Sequence, residues 1–284
     1  MCAIFIVFYL SSHFALSQES KGPIFQSLGG SGRAAADPVE VGRTNPASLA
    51  QLQDYYLGFG VSRGSSKALP DVSAYNVTLA DGTLDVAFPG SFTYERSRIS
   101  DDFGLRADGQ LFHLALAGLL GKGLSLGLSA HRFDFRPEGG DRVYDDNFDL
   151  GLLWAINPSL AFGLVVDNLL GFEDKLPVGL QTYTTAHIGA QYVVNEFLRF
   201  RGDYSYQLEE NSNNRGRLAY GVESQFIGDF KFRLGNQLDG LKNRTLITTG
   251  LGWDGPRLRI DYAFQANLRD GGGQVHSLDL WLNF

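Results

Sequence analysis

The sequence predicts an all-β fold: a transmembrane antiparallel up-and-down β-barrel of about 14 strands, preceded by a small N-terminal plug. Three observations predict it. Long segments alternate residue by residue between apolar and polar. The connections between them are alternately short and long. Beyond the N-terminus, no apolar run approaches the ~18 residues that a membrane-spanning helix needs. The longest such run, Leu111 to Leu120, carries His113.

The alternation is clearest from Arg257 to Leu268. Leu258, Ile260, Tyr262, Phe264, Ala266 and Leu268 fall on one face, and Arg257, Arg259, Asp261, Ala263, Gln265 and Asn267 on the other. Leu198 to Leu208 repeats the pattern, as do Leu278, Leu280, Leu282 and Phe284 against Ser277, Asp279, Trp281 and Asn283. Such a period of 2 is that of a strand with two unlike surroundings. A soluble sandwich also alternates, but its strands average ~5–6 residues, whereas a tilted transmembrane strand takes ~9–11. The segments here run to about that greater length, and outer-membrane barrels have short turns at one end and longer loops at the other. Gly121-Lys122-Gly123, Asn157-Pro158, Asn195-Glu196, Gly228-Asp229 and Asp254-Gly255-Pro256 are the short connections. Residues 136–145, 171–182, 209–216, 239–243 and 269–273 are the long ones.

The expected strands are 54–62, 72–80, 83–98, 110–120, 123–135, 146–156, 159–169, 183–194, 197–208, 217–227, 229–237, 244–253, 256–267 and 275–284. Their number is even, which puts both barrel termini on the periplasmic side. Lipid offers no hydrogen-bond partner, so the sheet has to close on itself. Residues 1–17 read as a signal peptide, with an apolar stretch from Ile4 to Leu10 and a small-residue cleavage site at Ala15-Leu16-Ser17, although no Lys or Arg precedes the apolar stretch. Three parts follow: 1–17 signal peptide, 18–53 plug, 54–284 barrel. The implied location is the outer membrane of a Gram-negative cell, with outer-membrane lipids and the outer-membrane assembly machinery as partners. The net charge of −7 argues against a nucleic-acid partner. The only cysteine, Cys2, lies in the signal segment, so the mature chain has no disulfide and no cysteine ligand.

Residues 18–53 do not alternate. They hold a Gly/Ala-rich run from Gly29 to Asp37, with Gly29, Gly30 and Gly32, and then Asn45-Pro46-Ala47. Asn45 can cap a short helix with Pro46 at its first position. The segment is too small to be a domain and folds most simply back into the lumen. In this run, in Asn45-Pro46-Ala47, and in a barrel of this size ending on Phe284, the sequence resembles the FadL family of outer-membrane transporters for long-chain fatty acids and other hydrophobic compounds. It is also similar to the related PorV-like proteins of type IX secretion. The resemblance implies that Asn45, Pro46 and Ala47 belong to a hatch that occludes the pore, and that Phe284 is read by the assembly machinery. It also implies a kink in the third strand that opens a lateral window. Phe88-Pro89-Gly90 is the candidate for that gate, since Pro89 removes a ladder donor and Gly90 invites a bulge. The competing reading is an ordinary turn between two shorter strands. The long loops are shorter than a typical member's, and Ser48 stands where the family usually has Gly.

The polar faces carry Arg199, Arg201, Arg217, Arg233, Arg257 and Arg259 interleaved with Asp203, Glu223 and Asp261, all expected to face the lumen. They read either as an anion-attracting wall or as paired charges that brace the barrel. His113, His131, His187 and His276 fall on different strands without metal-binding spacing, so no metal site is expected. Gly30-Ser31-Gly32-Arg33-Ala34-Ala35 matches a loose dinucleotide fingerprint, but no strand leads into it and no cofactor is expected. An enzyme is not expected. The functional expectation is passive uptake of small hydrophobic molecules such as fatty acids, with the plug as gate and the third strand as exit. The alternative is a PorV-like barrel that does not transport and instead binds a secretion-system or surface-assembly partner.

Overall fold

A computed structural model describes residues 21–35, 40–66, 69–83, 86, 88–100, 106–171, 182–208, 216–240, 244–269 and 273–284. The signal-peptide segment and Asp37 lie outside the described residues. Fourteen strands form the barrel: β1 (Tyr55–Ser66), β2 (Leu69–Asp81), β3 (Gly90–Ser100), β4 (Arg106–Gly121), β5 (Leu124–Pro137), β6 (Val143–Asn157), β7 (Leu160–Asp167), β8 (Thr185–Asn195), β9 (Leu198–Gln207), β10 (Gly216–Ile227), β11 (Phe230–Asp239), β12 (Arg244–Asp254), β13 (Leu258–Asn267) and β14 (Gln274–Asn283). Each pairs antiparallel with its chain neighbours, and β1 closes on β14 from Tyr56↔Asn283 to Ser65↔Gln274. No helix among the described residues is long and apolar enough to cross a membrane.

The barrel is inverted relative to a soluble protein. On β9, Phe200 and Tyr204 are exposed while Arg201, Asp203 and Ser205 are buried. On β14, Leu278 and Leu280 face out while Ser277, Asp279 and Trp281 face in. An apolar outer surface combined with a polar interior is stable only where the surroundings are hydrocarbon. The alternation read from the sequence is therefore the division between lipid side and lumen side.

Several boundaries differ from expectation by a few residues, with β1, β2, β4 and β6 longer than expected at the long-loop end, and three differ for an evident local reason. The third strand, expected from 83, starts at Gly90, where its pairing with β2 ends at Asp81↔Gly90. Pro89 has no N–H to offer the ladder; its carbonyl accepts from Ala117 N–H at 2.9 Å. Phe88, Pro89 and Gly90 therefore lie at the mouth of β3, not at a kink inside it. β7 ends at Asp167 because Asn168 takes a left-handed conformation (φ 58°). The expectation that Arg257 faces the lumen is corrected: β13 begins at Leu258, and Arg257 is exposed in the turn after Gly255-Pro256.

The described part of the N-terminal segment lies inside the barrel. It forms two short helices, α1 (Pro23–Ser27) and α2 (Val41–Thr44), and a 3₁₀ turn, η1 (Pro46–Gln51). Ile24 and Leu28 pack with the inward Trp281. Leu49 and Leu52 pack with Ala80, Ala115 and Ala117, and Ala34 and Ala47 pack with Leu153 and Ala161.

Candidate functional site

The site is the interface between this plug and the lumen wall. It starts from chain geometry. After α1, Gly29 and Gly30 take positive φ (72° and 86°), which turns the chain sharply and presses its backbone onto β11. The opposing wall is glycine at the inward phase of strand after strand. Gly127 on β5 pairs with Gly151 on β6, Gly163 on β7 with Gly189 on β8, and Gly221 on β10 with Gly235 on β11. A methyl group at Gly127 or Gly151 would overlap Pro46, one at Gly163 the Arg33 carbonyl, and one at Gly221 would come within 2.8 Å of Leu28. The wall is thus hollowed to the width of a peptide.

Polar anchors hold the plug in this belt. Asn45 is fully buried. Its Oδ1 accepts from Ala47 N–H at 3.1 Å, capping η1, while Nδ2 donates to the carbonyls of Arg33 (2.8 Å) and Leu152 on β6 (3.1 Å). One side chain therefore ties two plug segments to the wall. Pro46 follows at the first position of η1, and Ser125 Oγ donates to the Ala47 carbonyl at 2.8 Å. Asp203 Oδ2 accepts from the N–H groups of Gly32 (3.0 Å) and Arg33 (3.1 Å) and from Arg33 Nη1 (3.2 Å). Asp167 faces Lys21 (2.9 Å), Arg33 (3.7 Å) and His187 (3.1 Å). Arg43 pairs with Glu95 on β3 at 3.0 Å. Both oxygens of Glu40 accept from the N-terminus of α1, from Ile24 N–H (2.6 Å) and Phe25 N–H (2.7 Å). Burial pushes the Glu40 carboxyl well above its usual range, Asp279 adds to this, and the two backbone donors oppose it. Burial likewise lowers the Lys21 ammonium, against the pull of Asp167.

The remaining lumen charges form a brace beside the plug. Arg233 is fully buried between Glu223 (2.6 Å) and Asp261 (2.7 Å). Arg259 bridges Asp261 (2.7 Å) and Asp254 (3.0 Å), and Arg199 reaches Glu223 at 3.3 Å from a half-exposed position. Arg201 is buried near α1, and Arg217 donates to Ser205 Oγ at 3.5 Å. Acids and bases are interleaved and paired, the arrangement of a bracing network. Ser205 Oγ, His187 and Asp167 form a relay of 2.7 Å to Nδ1 and 3.1 Å to Nε2, the reverse of the ring orientation in a hydrolase triad. The Ser205 hydroxyl is buried, and Asp167 is the counter-ion of Lys21 and Arg33, so the relay anchors the plug. Between α1 and β10–β14 a cavity of about 40 Å³, lined by Phe25, Gly30, Arg217 and Gln237 among others, has room for a few waters. Phe284 lies at the closing seam, its N–H donating to the Tyr55 carbonyl at 3.0 Å and its ring exposed.

Sequence reasoning missed the glycine belt, Glu40, Glu95 and Asp167. The belt was visible as glycine recurring where the alternation calls for a polar side chain. The partners of the acids were not visible, because they lie up to 146 residues away in the chain, as Lys21 does from Asp167.

No protein-family model matches the sequence, and no curated protein matches it. Solved structures do. The Ralstonia pickettii toluene transporter TbuX superposes with a TM-score of 0.73 at 13% identity, over 95% of this chain and 100% of that one. The Pseudomonas putida toluene transporter TodX gives 0.63 at 12%, over 92% and 96%. A Pseudomonas aeruginosa FadL homologue gives 0.63 at 12%, over 93% and 98%. At these identities the likeness is one of fold, and the fold of this chain is that of the FadL-type transporters.

Proposed function

We propose that the protein is an outer-membrane channel for passive uptake of small hydrophobic molecules, with its N-terminal segment as the gate. The observation that carries this reading is the inner wall at the long-loop end. There the inward positions of β2–β5 are Val72, Ile99, Ala107, Phe133 and Phe135, with Leu111 and Val143 packed against them. The other apolar inward residues, among them Trp281, Ala115, Ala117 and Leu153, are covered by the plug. An apolar lining at the end that faces outward in barrels of this kind suits an apolar passenger. Fatty acids and monoaromatic compounds are the passengers to test, the latter because the structural neighbours are described as toluene transporters.

An exit at the short-turn rim beside Phe88 and Pro89 is supported by the unevenness of that rim. β3 begins opposite Leu116 and Ala117 N–H still donates to the Pro89 carbonyl, while among the described residues Gly118–Gly121 of β4 pair with β5 alone. Phe88, two-thirds exposed, and Pro89 lie beside this unpaired edge near Gly118. A passenger leaving there would reach lipid without crossing the plug's whole length. Cells lacking their own fatty-acid porin should gain uptake of radiolabelled oleate or toluene when they express this chain. No gain, with the barrel folded in the outer membrane, rejects the reading. One observation favours the PorV-like alternative: the plug is held by several buried ion pairs at once, which suits a permanently closed barrel. Co-purification of a stoichiometric surface or secretion partner, without uptake, would establish it.

A further inference from the structure

The register of β4, β5 and β6 brings together three side chains that sequence spacing kept apart. His113 and His131 are directly opposed across the β4–β5 ladder, and Asp149 lies diagonal to His131 on β6. All three point into the lumen, where His113 and Asp149 are buried and His131 is nearly so. His131 Nδ1 lies 3.3 Å and His113 Nε2 3.9 Å from Asp149 Oδ2, and one ligand atom from each residue falls within 4.8 Å of the others. The rings stack with centroids 6.0 Å apart and 13° between planes. His131 Nδ1 and the Asp149 carboxylate are at charge-pairing distance, short of a well-aligned hydrogen bond. A buried ring nitrogen aimed at a carboxylate off the hydrogen-bond line is costly as a proton donor and well placed as a ligand.

From this geometry we propose that His113, His131 and Asp149 bind a divalent transition cation of the zinc class. Two imidazoles and one carboxylate are a donor set such ions take, at ~2.0–2.2 Å per bond. Tetrahedral bonds of that length set ligand atoms roughly 3.3–3.5 Å apart, so the His131–Asp149 spacing of 3.3 Å fits as it stands, the His113–Asp149 distance of 3.9 Å has to close by about half an ångström, and the two histidine nitrogens, within 4.8 Å of each other, by up to about 1.4 Å. Three protein ligands leave one position for water. The carboxylate is oriented from outside: Ser129 Oγ donates to Oδ2 at 2.7 Å and Asn168 N–H to Oδ1 at 2.9 Å. Two positive groups whose charges act on His113, Lys21 and Arg43 of the plug, are each paired with a carboxylate, Asp167 and Glu95. The cation would cross-link β4, β5 and β6 behind the plug, a role independent of transport.

The test uses full-length protein in detergent, without a histidine tag, stripped with EDTA, loaded with zinc or cobalt and desalted. Wild type should retain one equivalent, and the cobalt form should show the intense visible absorption of a tetrahedral site. His131→Gln and Asp149→Asn should each lower affinity by more than the roughly 10–100-fold that a supporting group contributes. Heat-modifiable gel mobility checks that the variants fold. His276→Ala, which alters the exposed histidine beside Tyr262, should leave retention unchanged. Retention well short of one equivalent in wild type overturns the proposal even if no variant folds. So does retention that survives both ligand substitutions, or that is lost with His276.

Discussion

Replacing Asp203 with alanine should unlatch the plug. Asp203 is 3% exposed and its Oδ2 accepts from two plug backbone N–H groups and from the Arg33 guanidinium, itself 1% exposed. Removing it strands a buried cation, a change that typically costs ~3–5 kcal/mol. Asp167, 3.7 Å from Arg33, takes up part of that charge, so the lower end applies. About 3 kcal/mol is on the order of a 100-fold shift toward the undocked plug, at ~1.4 kcal/mol per decade. The pair is buried, so added salt should change the shift little. Trypsin reads the outcome directly, because its sites after Arg33 and Arg43 are buried or nearly so when the plug is docked. When the plug docks and undocks faster than it is cut, the cleavage rate tracks the undocked population. Asp203→Ala should be cut at these sites on the order of 100 times faster than wild type, and Asp203→Asn, which keeps an acceptor, by an intermediate factor. Wild-type cleavage rates in a folded Asp203→Ala barrel would refute the latch and the energetic reasoning behind it.

The glycine belt makes a steric prediction: Gly151→Leu sets a side chain where Asn45 and Pro46 now sit, and trypsin should find the plug exposed while the barrel still migrates as folded. Asn45→Ala removes the η1 cap and two buried donors at once, at about 1–2 kcal/mol for the cap alone, and should lower the denaturant midpoint of plug release before that of the barrel. Arg233→Ala leaves Glu223 and Asp261 facing each other without their shared cation, and should cost the barrel ~3–5 kcal/mol, measurable as a lowered unfolding midpoint in urea. Pro89→Val combined with Gly90→Thr restores a ladder donor and strand propensity at the mouth of β3, so uptake of hydrophobic compounds should fall. Unchanged uptake through a folded barrel would remove the proposed exit.

Much of this architecture was legible in the order of residues because a bilayer imposes a simple rule. Every second side chain on a spanning strand meets hydrocarbon, so Phe200, Tyr204 and Leu280 announce their face without reference to any partner. Turn chemistry marked most strand ends for a similarly local reason. At three misplaced boundaries a local backbone feature decided it: the missing N–H of Pro89, the positive φ of Asn168, the turn that leaves Arg257 outside. Asn45 was legible as a cap, since capping spans only two residues. That the same side chain also holds the Leu152 carbonyl, 107 residues away, was not.

By itself, then, the amino-acid order determined the strand number, the inward and outward faces and a non-strand segment ahead of them, since each follows from neighbours within a few positions. Only the tertiary structure decided which inward groups meet. A closed sheet sets strands side by side at a fixed register, and that register placed His131 against His113, Asp203 under Arg33, and glycine against glycine where the plug is seated. Pairing of this kind depends on relative strand offset, which sums over the whole barrel and is written in no single stretch of chain.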